Sequence, residues 1–203
     1  MAWFRDHLDR ERAESLAAEG GGYFPLMVAE ALESRNPALV LAHFAGSGTP
    51  SMDPESRGAL LGLSLATEKR DIALGILEGI ALEMALNLEA LKRAAIPLRV
   101  IHVGSGGARS PELVQMRADV FNLPVTPLDV EEAGCLACGM LALGALDPSR
   151  SVQELVRCWV KTGEPVMPRP QQAEHYARKR EIYKRLYPAL RDLNRAASEF
   201  QGS

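Results

Sequence analysis

The 203-residue chain is short of several things, and each shortage excludes something. No apolar run reaches the roughly 18 residues that a bilayer crossing needs. The longest candidate, 72–91, is interrupted by Glu78, Glu83, Asn87 and Glu89. There is no strong charge of either sign: the formal net charge is −3 and the isoelectric point about 5.9, so nothing favours nucleic acid or an anionic lipid surface. The one basic run, "YARKREIYKR", alternates with Glu181 and tyrosines and reads as the solvated face of a helix. Three cysteines are an odd number and too few for a disulfide framework, which points to a reducing compartment. The N-terminus is heavily charged from Arg5 onward, unlike a secretory signal. Internal repeats and low-complexity tracts are absent too. A cytoplasmic protein that engages neither membrane nor nucleic acid is expected.

What the chain does have is core: 47% apolar and 24% charged residues suit one large globular domain, or one domain with a small appendage. Helical spacing of Trp3, Phe4, Leu8 and Leu16 predicts a helix over 3–18, stopped by three glycines. A short helix is expected over 25–32, then a buried strand at "ALVLAHF" and a second strand at "ALLGLSL" on either side of a loop dense in Gly, Pro, Ser and Asp. The strongest helix is expected over 68–94, with Ala73, Leu77, Ile80, Met84, Leu88 and Leu91 along its buried face. Gly75 and Gly79, four apart, let a neighbouring backbone approach it closely. Next come the strand "LRVIHV", the helix "SPELVQMRADVF", the strand "PVTPL" and a small-residue helix, "EEAGCLACGMLALGAL". This order means an α/β protein with partly parallel strands. Beyond Asp147 the pattern is helical, ending in one long helix over about 171–200. The divisions that follow are a leading helical segment, 1–37, an α/β lobe, 38–147, and a helical extension of the same domain, 148–203.

Chemistry concentrates in "VIHVGSGGARSPELV". Gly104, Gly106 and Gly107 separate strand from helix, and Ser110-Pro111 suits an N-cap and first helical residue. Such a loop lets backbone close on a ligand, and free N–H groups at the helix start attract anions. It is neither a Rossmann fingerprint nor a Walker A loop, because the final Gly or Ala of the first and the Gly-Lys-Ser/Thr of the second are missing. Alone it fits a structural turn as well as a ligand loop. Cys135 and Cys138 form a C-x-x-C inside a helical run with no second pair, no nearby histidine and two preceding carboxylates. They are expected as buried packing thiols, with a redox role a distant alternative. His7, His43, His102 and His175 share no ligand spacing, and structural roles are expected for them. In "GSGTPSMDPESRG" an Asp53–Arg57 pair across a turn accounts for the charges. No serine-hydrolase elbow or zinc-protease motif is present.

Taken in order, "WFRD", "GTPSMDPESRG", "GALLGLSLATEKRDIALGILEGIA", the glycine loop with its helix, "EEAGCLACGMLALGAL" and "YKRLYPALRDL" resemble the C-terminal domain of the FGGY family of carbohydrate kinases. In the third segment the matching positions are Gly62-Leu63, Asp71-Ile72 and Ile76-Leu77-Glu78. Gly75 stands where the signature has Ala or Ser, and Ala137-Cys138 replace a Gly-Ala pair; both changes exchange small for small.

The resemblance implies the actin/Hsp70/hexokinase-like ATPase (ribonuclease H-like) fold, a mixed sheet flanked by helices, of which this chain would be one lobe. It implies ATP or ADP with Mg2+ as cofactor, the nucleotide meeting Gly106, Gly107 and Ser110, with Arg109 beside them and Thr49, Asp53 and Arg57 on a cleft-facing loop. The family's catalytic aspartate, most sugar contacts and the first phosphate loop belong to the other, N-terminal lobe. The expectation is therefore a nucleotide-binding lobe with no catalytic residue or metal ligand of its own, inactive alone. It would be completed by a separate lobe or paired with a second copy. The alternative is a non-catalytic binding or assembly module that keeps the fold.

Overall fold

In the computed structural model, which describes residues 1–35, 37–147 and 149–201, the charged N-terminal stretch forms two helices and not one. Helices α1 (Ala2–Leu8) and α2 (Arg10–Ala18) meet at Asp9. The break turns Asp9 inward, where its carboxylate accepts from the Tyr23 hydroxyl at 3.0 Å and the Lys69 ammonium at 2.8 Å. Pro148, Gly202 and Ser203, which begin and end the expected 148–203 extension, lie outside the described residues.

After α3 (Tyr23–Leu32), strands β1 (Leu39–Leu41) and β2 (Ala59–Leu61) pair antiparallel, with Val40 opposite Leu60. Helix α4 (Lys69–Arg93) begins in a capping box: Asp71 accepts from the Glu68 N–H at 2.8 Å while the Glu68 side chain caps the N–H of Asp71. The Ser34 hydroxyl adds a bond to Asp71 at 2.7 Å. From Ala73 through Gly79 every residue of this helix is buried. Beyond it, Leu82 and Ala85 stay buried while Ile80, Met84 and Leu91 are exposed, so the expected stripe is corrected in its second half. The cause lies in the glycines. A Cβ on Gly75 would overlap the Ala38 carbonyl oxygen and stand 2.8 Å from Val40 Cγ2, and one on Gly79 would overlap the Val40 carbonyl. Strand β1 therefore lies flush on the glycine side and fixes which face is covered.

Strands β3 (Ile101–Val103) and β4 (Val125–Pro127) pair in parallel, joined through α5 (Pro111–Phe121) in a β–α–β unit. The caps of α5 follow the sequence. Ser110 Oγ accepts from the Leu113 N–H, Pro111 stands first, and Asn122 ends the helix in a left-handed conformation at φ 49°. The far side of β4 is held by the returning segment, where Val125 and Val166 exchange bonds of 3.0 and 2.8 Å. That segment is anchored by Asp119, buried on α5, which accepts from the Arg169 N–H at 2.7 Å and from its guanidinium at 2.6 and 3.0 Å. Helices α6 (Ala133–Leu146) and α7 (Val152–Trp159) lie between these parts.

The last stretch is also two helices, α8 (Pro170–Tyr183) and α9 (Leu186–Gln201), where one was expected. Pro188 has no N–H to give to the Lys184 carbonyl, so the helix cannot run through; Pro188 falls instead in the first turn of α9, where a missing donor costs nothing. The chain divides into two compact units, Met1–Pro97 with Glu174–Ser203, and Leu98–Ala173. No helix among the described residues is long and apolar enough to cross a membrane.

The glycine contact is testable against a glycine with room. Gly75→Ala is expected to lose about 2–4 kcal/mol of unfolding free energy in urea titration, by forcing a methyl onto a backbone carbonyl. Gly139→Ala on α6, where a Cβ meets nothing within 4 Å, should leave stability unchanged or raise it by up to about 1 kcal/mol.

Candidate functional site

The loop between β3 and α5 belongs to the second unit. Gly104 continues the strand in extended backbone, residues Ser105–Ala108 form one 3-10 turn, and Ser110 caps α5. Ser110 is occupied by that role, since it also donates to Glu112 at 2.8 Å. Gly106 faces open space, whereas Gly107 lies against the side chain of Arg117. Arg117 Nη1 donates to the Gly107 carbonyl at 2.5 Å, and burial alone pulls the Arg117 pKa down. Reading the loop from sequence missed this residue. The signal was there: Arg117 sits three or four positions from Leu113, Val114, Val120 and Phe121, all buried, so a charge stands on the apolar face of α5.

Beside the loop is a cleft of about 310 Å³, lined by Ala108, Arg109, Pro127 to Glu131 and Gly163. That is at the lower end of the roughly 300–1,000 Å³ range of small-molecule sites. Its floor is set by backbone bonds, from Leu128 N–H to the Val103 carbonyl at 2.7 Å and from Gly163 N–H to the Pro127 carbonyl at 2.8 Å. Ala108, Pro127, Leu128 and Val130 give it apolar walls, and Arg109, Asp129 and Glu131 supply charge. Arg109 reaches Glu131 at 3.3 Å, but both side chains are well exposed, so the pair holds little energy and yields easily. Of the expected site residues, Gly106, Gly107, Arg109 and Ser110 thus share one loop, and of these Arg109 lines the cleft beside it.

Thr49 belongs to the first unit, in the exposed loop between β1 and β2. The expected Asp53–Arg57 pair does not form. Asp53 turns inward, accepting from the Glu55 N–H at 3.0 Å and the Tyr187 hydroxyl at 2.9 Å; Arg57 donates to the carbonyls of Pro54 and Ser56. The Tyr187 bond is the main reason the Asp53 carboxyl sits below its ordinary pKa. Nearby, His43 Nε2 donates to Glu83 at 2.8 Å and Nδ1 pairs with Ser56 Oγ at 2.7 Å. The connectivity is that of a nucleophile, base and acid. Ser56, however, is 1% exposed, so its hydroxyl is closed to substrate, although His43 and Glu83 border a separate cleft of about 200 Å³ with Tyr183 and Tyr187. Tyr183, which donates to Glu83 at 2.9 Å, has its pKa pushed well up by burial first and by Glu83 second.

Cys135, Cys138 and Cys158 are all exposed, which corrects the expectation of buried thiols for the first two. On helix α6 only Met140 is buried, while Ala133, Leu136, Leu143 and Gly144 are half-buried and the other residues exposed. Among the described residues no group of three His, Cys, Asp or Glu side chains is arranged to hold a metal ion.

Comparison with known proteins adds four findings. A family model described as "FGGY family of carbohydrate kinases, C-terminal domain" matches residues 1–147. The xylulose kinase of Bacillus subtilis (strain 168) is 27% identical over 166 residues, 82% of this chain and 33% of that protein. The glycerol kinase of Trichlorobacter lovleyi is 34% identical over 184 residues, 86% of this chain and 34% of that one. Among solved structures, the xylulose kinase from Rhodospirillum rubrum aligns with a TM-score of 0.76 at 23% identity, over 96% of this chain and 38% of its own. The chain therefore spans about a third of the length of the relatives it matches.

The loop of the first unit yields its own test. Tyr187→Phe is expected to raise the Asp53 carboxyl pKa toward the ordinary value near 4, seen by carboxyl-carbon NMR titration. An unmoved Asp53 would mean that the hydroxyl bond does not hold it.

Proposed function

The chain belongs to the FGGY family of carbohydrate kinases, matching its C-terminal domain and carrying the actin/hexokinase-like ATPase fold, and from that membership we propose that it is the nucleotide-holding lobe of a sugar or polyol kinase. The observation that carries the proposal is the capped glycine loop at the mouth of an apolar-walled cleft. The open backbone at Gly106 and the turn at Gly107 and Ala108 would receive adenine and ribose, with Arg109 at the rim. The N-terminus of α5 contributes favourable potential toward phosphate. Thr49, on the exposed loop of the first unit, is proposed as a further contact. A Plasmodium falciparum glycerol kinase solved with ADP shares the fold at a TM-score of 0.64 and 15% identity, which is consistent with ADP as a ligand class.

Phosphoryl transfer requires a metal on the phosphates, a positioned acceptor hydroxyl and a base held in line. Among the residues that line the cleft the ionisable side chains are Arg109, Asp129 and Glu131, and none is buried or held as a base would be. The metal would ride on the nucleotide phosphates and on residues outside these 203. In a cytoplasmic setting this lobe would bind ATP or ADP and leave acceptor activation to the remaining two thirds of a kinase of the relatives' length. The purified chain is accordingly expected to bind nucleotide without phosphorylating sugar.

A second reading, an assembly module that keeps the lobe fold, is favoured by α6. Its 14 residues carry no charge, yet all but Met140 are outside the core and Leu146 is 85% exposed. A helix that is apolar all round is normally covered. The other lobe, or a second copy forming a dimer, would cover it. Calorimetry separates the readings. Micromolar to millimolar ADP binding that Gly107→Val abolishes, in a variant still folded by circular dichroism, is the outcome expected of a kinase lobe. No heat at millimolar ADP would leave the module.

A further inference from the structure

Arg117 is costly where it stands. It lies two turns into α5 on the face that buries Leu113, Val114, Val120 and Phe121, and no carboxylate among the described residues pairs with it. A half-buried guanidinium without a counter-charge is disfavoured, and a leucine or methionine would fill the same space without that cost. What Arg117 does have is the Gly107 carbonyl at 2.5 Å. The fit is mutual, because a Cβ on Gly107 would stand 2.6 Å from Nη1, 3.0 Å from Nη2 and 3.2 Å from Cζ. The turn therefore rests flush on the guanidinium, and a Cβ at 107 would push that flexible end away from it.

The next two residues along the chain, Ala108 and Arg109, line the cleft. Arg117 itself does not line it. Resting on the nucleotide reading above, we infer that Arg117 is a positioning residue for the bound nucleoside: through the Gly107 carbonyl it fixes the turn that shapes the cleft wall. It acts on loop geometry and not on phosphate charge. Every ligand that carries the adenosine moiety should feel its loss alike.

The test uses the 203-residue chain with adenosine, AMP and ADP as probes, by calorimetry, together with amide hydrogen exchange at Ala108 and Arg109. Arg117→Ala is expected to weaken all three ligands by a common factor of about ten or more, the scale of one lost charge-assisted hydrogen bond. It should also speed exchange at Ala108 and Arg109 with no ligand present. Arg117→Lys, which keeps one donor but loses the planar fork, should fall between and serves if the alanine variant does not fold. Gly107→Ala should weaken binding in the unaltered background and add little in the Arg117→Ala background, because the two changes disturb one contact. A purely structural Arg117 would lower the melting temperature and leave both affinity and loop exchange unchanged, which overturns the inference. Loss of ADP and AMP binding with adenosine binding kept overturns it as well, in favour of a direct phosphate contact. If the unaltered chain binds none of the probes, the nucleotide reading fails, and loop exchange still decides whether Arg117 sets the turn.

Discussion

The first unit is organised by a backbone contact, the carbonyls of Ala38 and Val40 lying in the two glycine notches of α4. Once β1 is seated there, the rotation of α4 about its axis is settled, and with it the direction in which each charged residue on the helix points. Glu78, Glu83 and Glu89 interrupt the apolar run, and each takes up a partner. Glu78 accepts from the Tyr176 hydroxyl at 2.9 Å and pairs with Lys179. Glu83 accepts from His43 and Tyr183. Glu89 pairs with Arg180 at 2.8 Å and Lys184 at 2.9 Å. Three carboxylates thus fasten the end of the chain onto α4. The strand sets the helix, the helix aims the carboxylates, and the carboxylates seat α8.

In the second unit α5 carries the equivalent burden with two charges of opposite sign. Asp119 faces the returning segment and is fully satisfied, taking one backbone and two guanidinium bonds from Arg169 and an amide bond from Gln115 at 3.1 Å. Two positions earlier, Arg117 faces the glycine loop and has one carbonyl. The asymmetry is informative. A group that accepts several bonds over a stretch of chain anchors a fold, whereas a group that meets one carbonyl under a turn constrains that turn. One helix thereby ties down β4's far neighbour and shapes the loop at its own N-terminus.

Much of this was legible because it is written in short-range chemistry. Ser110-Pro111 opens α5 at its observed start, and Gly75 with Gly79 announces a close approach before the approaching strand is known. What was not legible depended on the partner surface. Ile80, Met84 and Leu91 have the right spacing for a buried stripe, but periodicity cannot say which side a strand takes when the helix is apolar on most sides. The two helix breaks had local causes that a period search passes over: an inward carboxylate at Asp9 and a proline four residues after Lys184. Cys135 and Cys138 followed the rule that small apolar helices are covered, and α6 departs from it. Within the site the glycines were legible and Arg117 was not, because motif reading looks for residues that touch a ligand and Arg117 touches the loop instead.

Residue type alone would have misled in the first unit. Ser56, His43 and Glu83 stand at the distances of a catalytic relay, and the glycine loop contains no ionisable group placed for catalysis. Burial reverses the ranking. The Ser56 hydroxyl is closed off and committed to the imidazole, and the carboxylate is shared with Tyr183, so these bonds hold the β1–β2 loop in place. The glycine loop is open at Gly106 and backed by a charged side chain at Gly107, so its backbone is both accessible and fixed. Accessibility together with a fixed shape is what a binding loop needs, since a floppy one would spend much of its binding free energy on ordering itself.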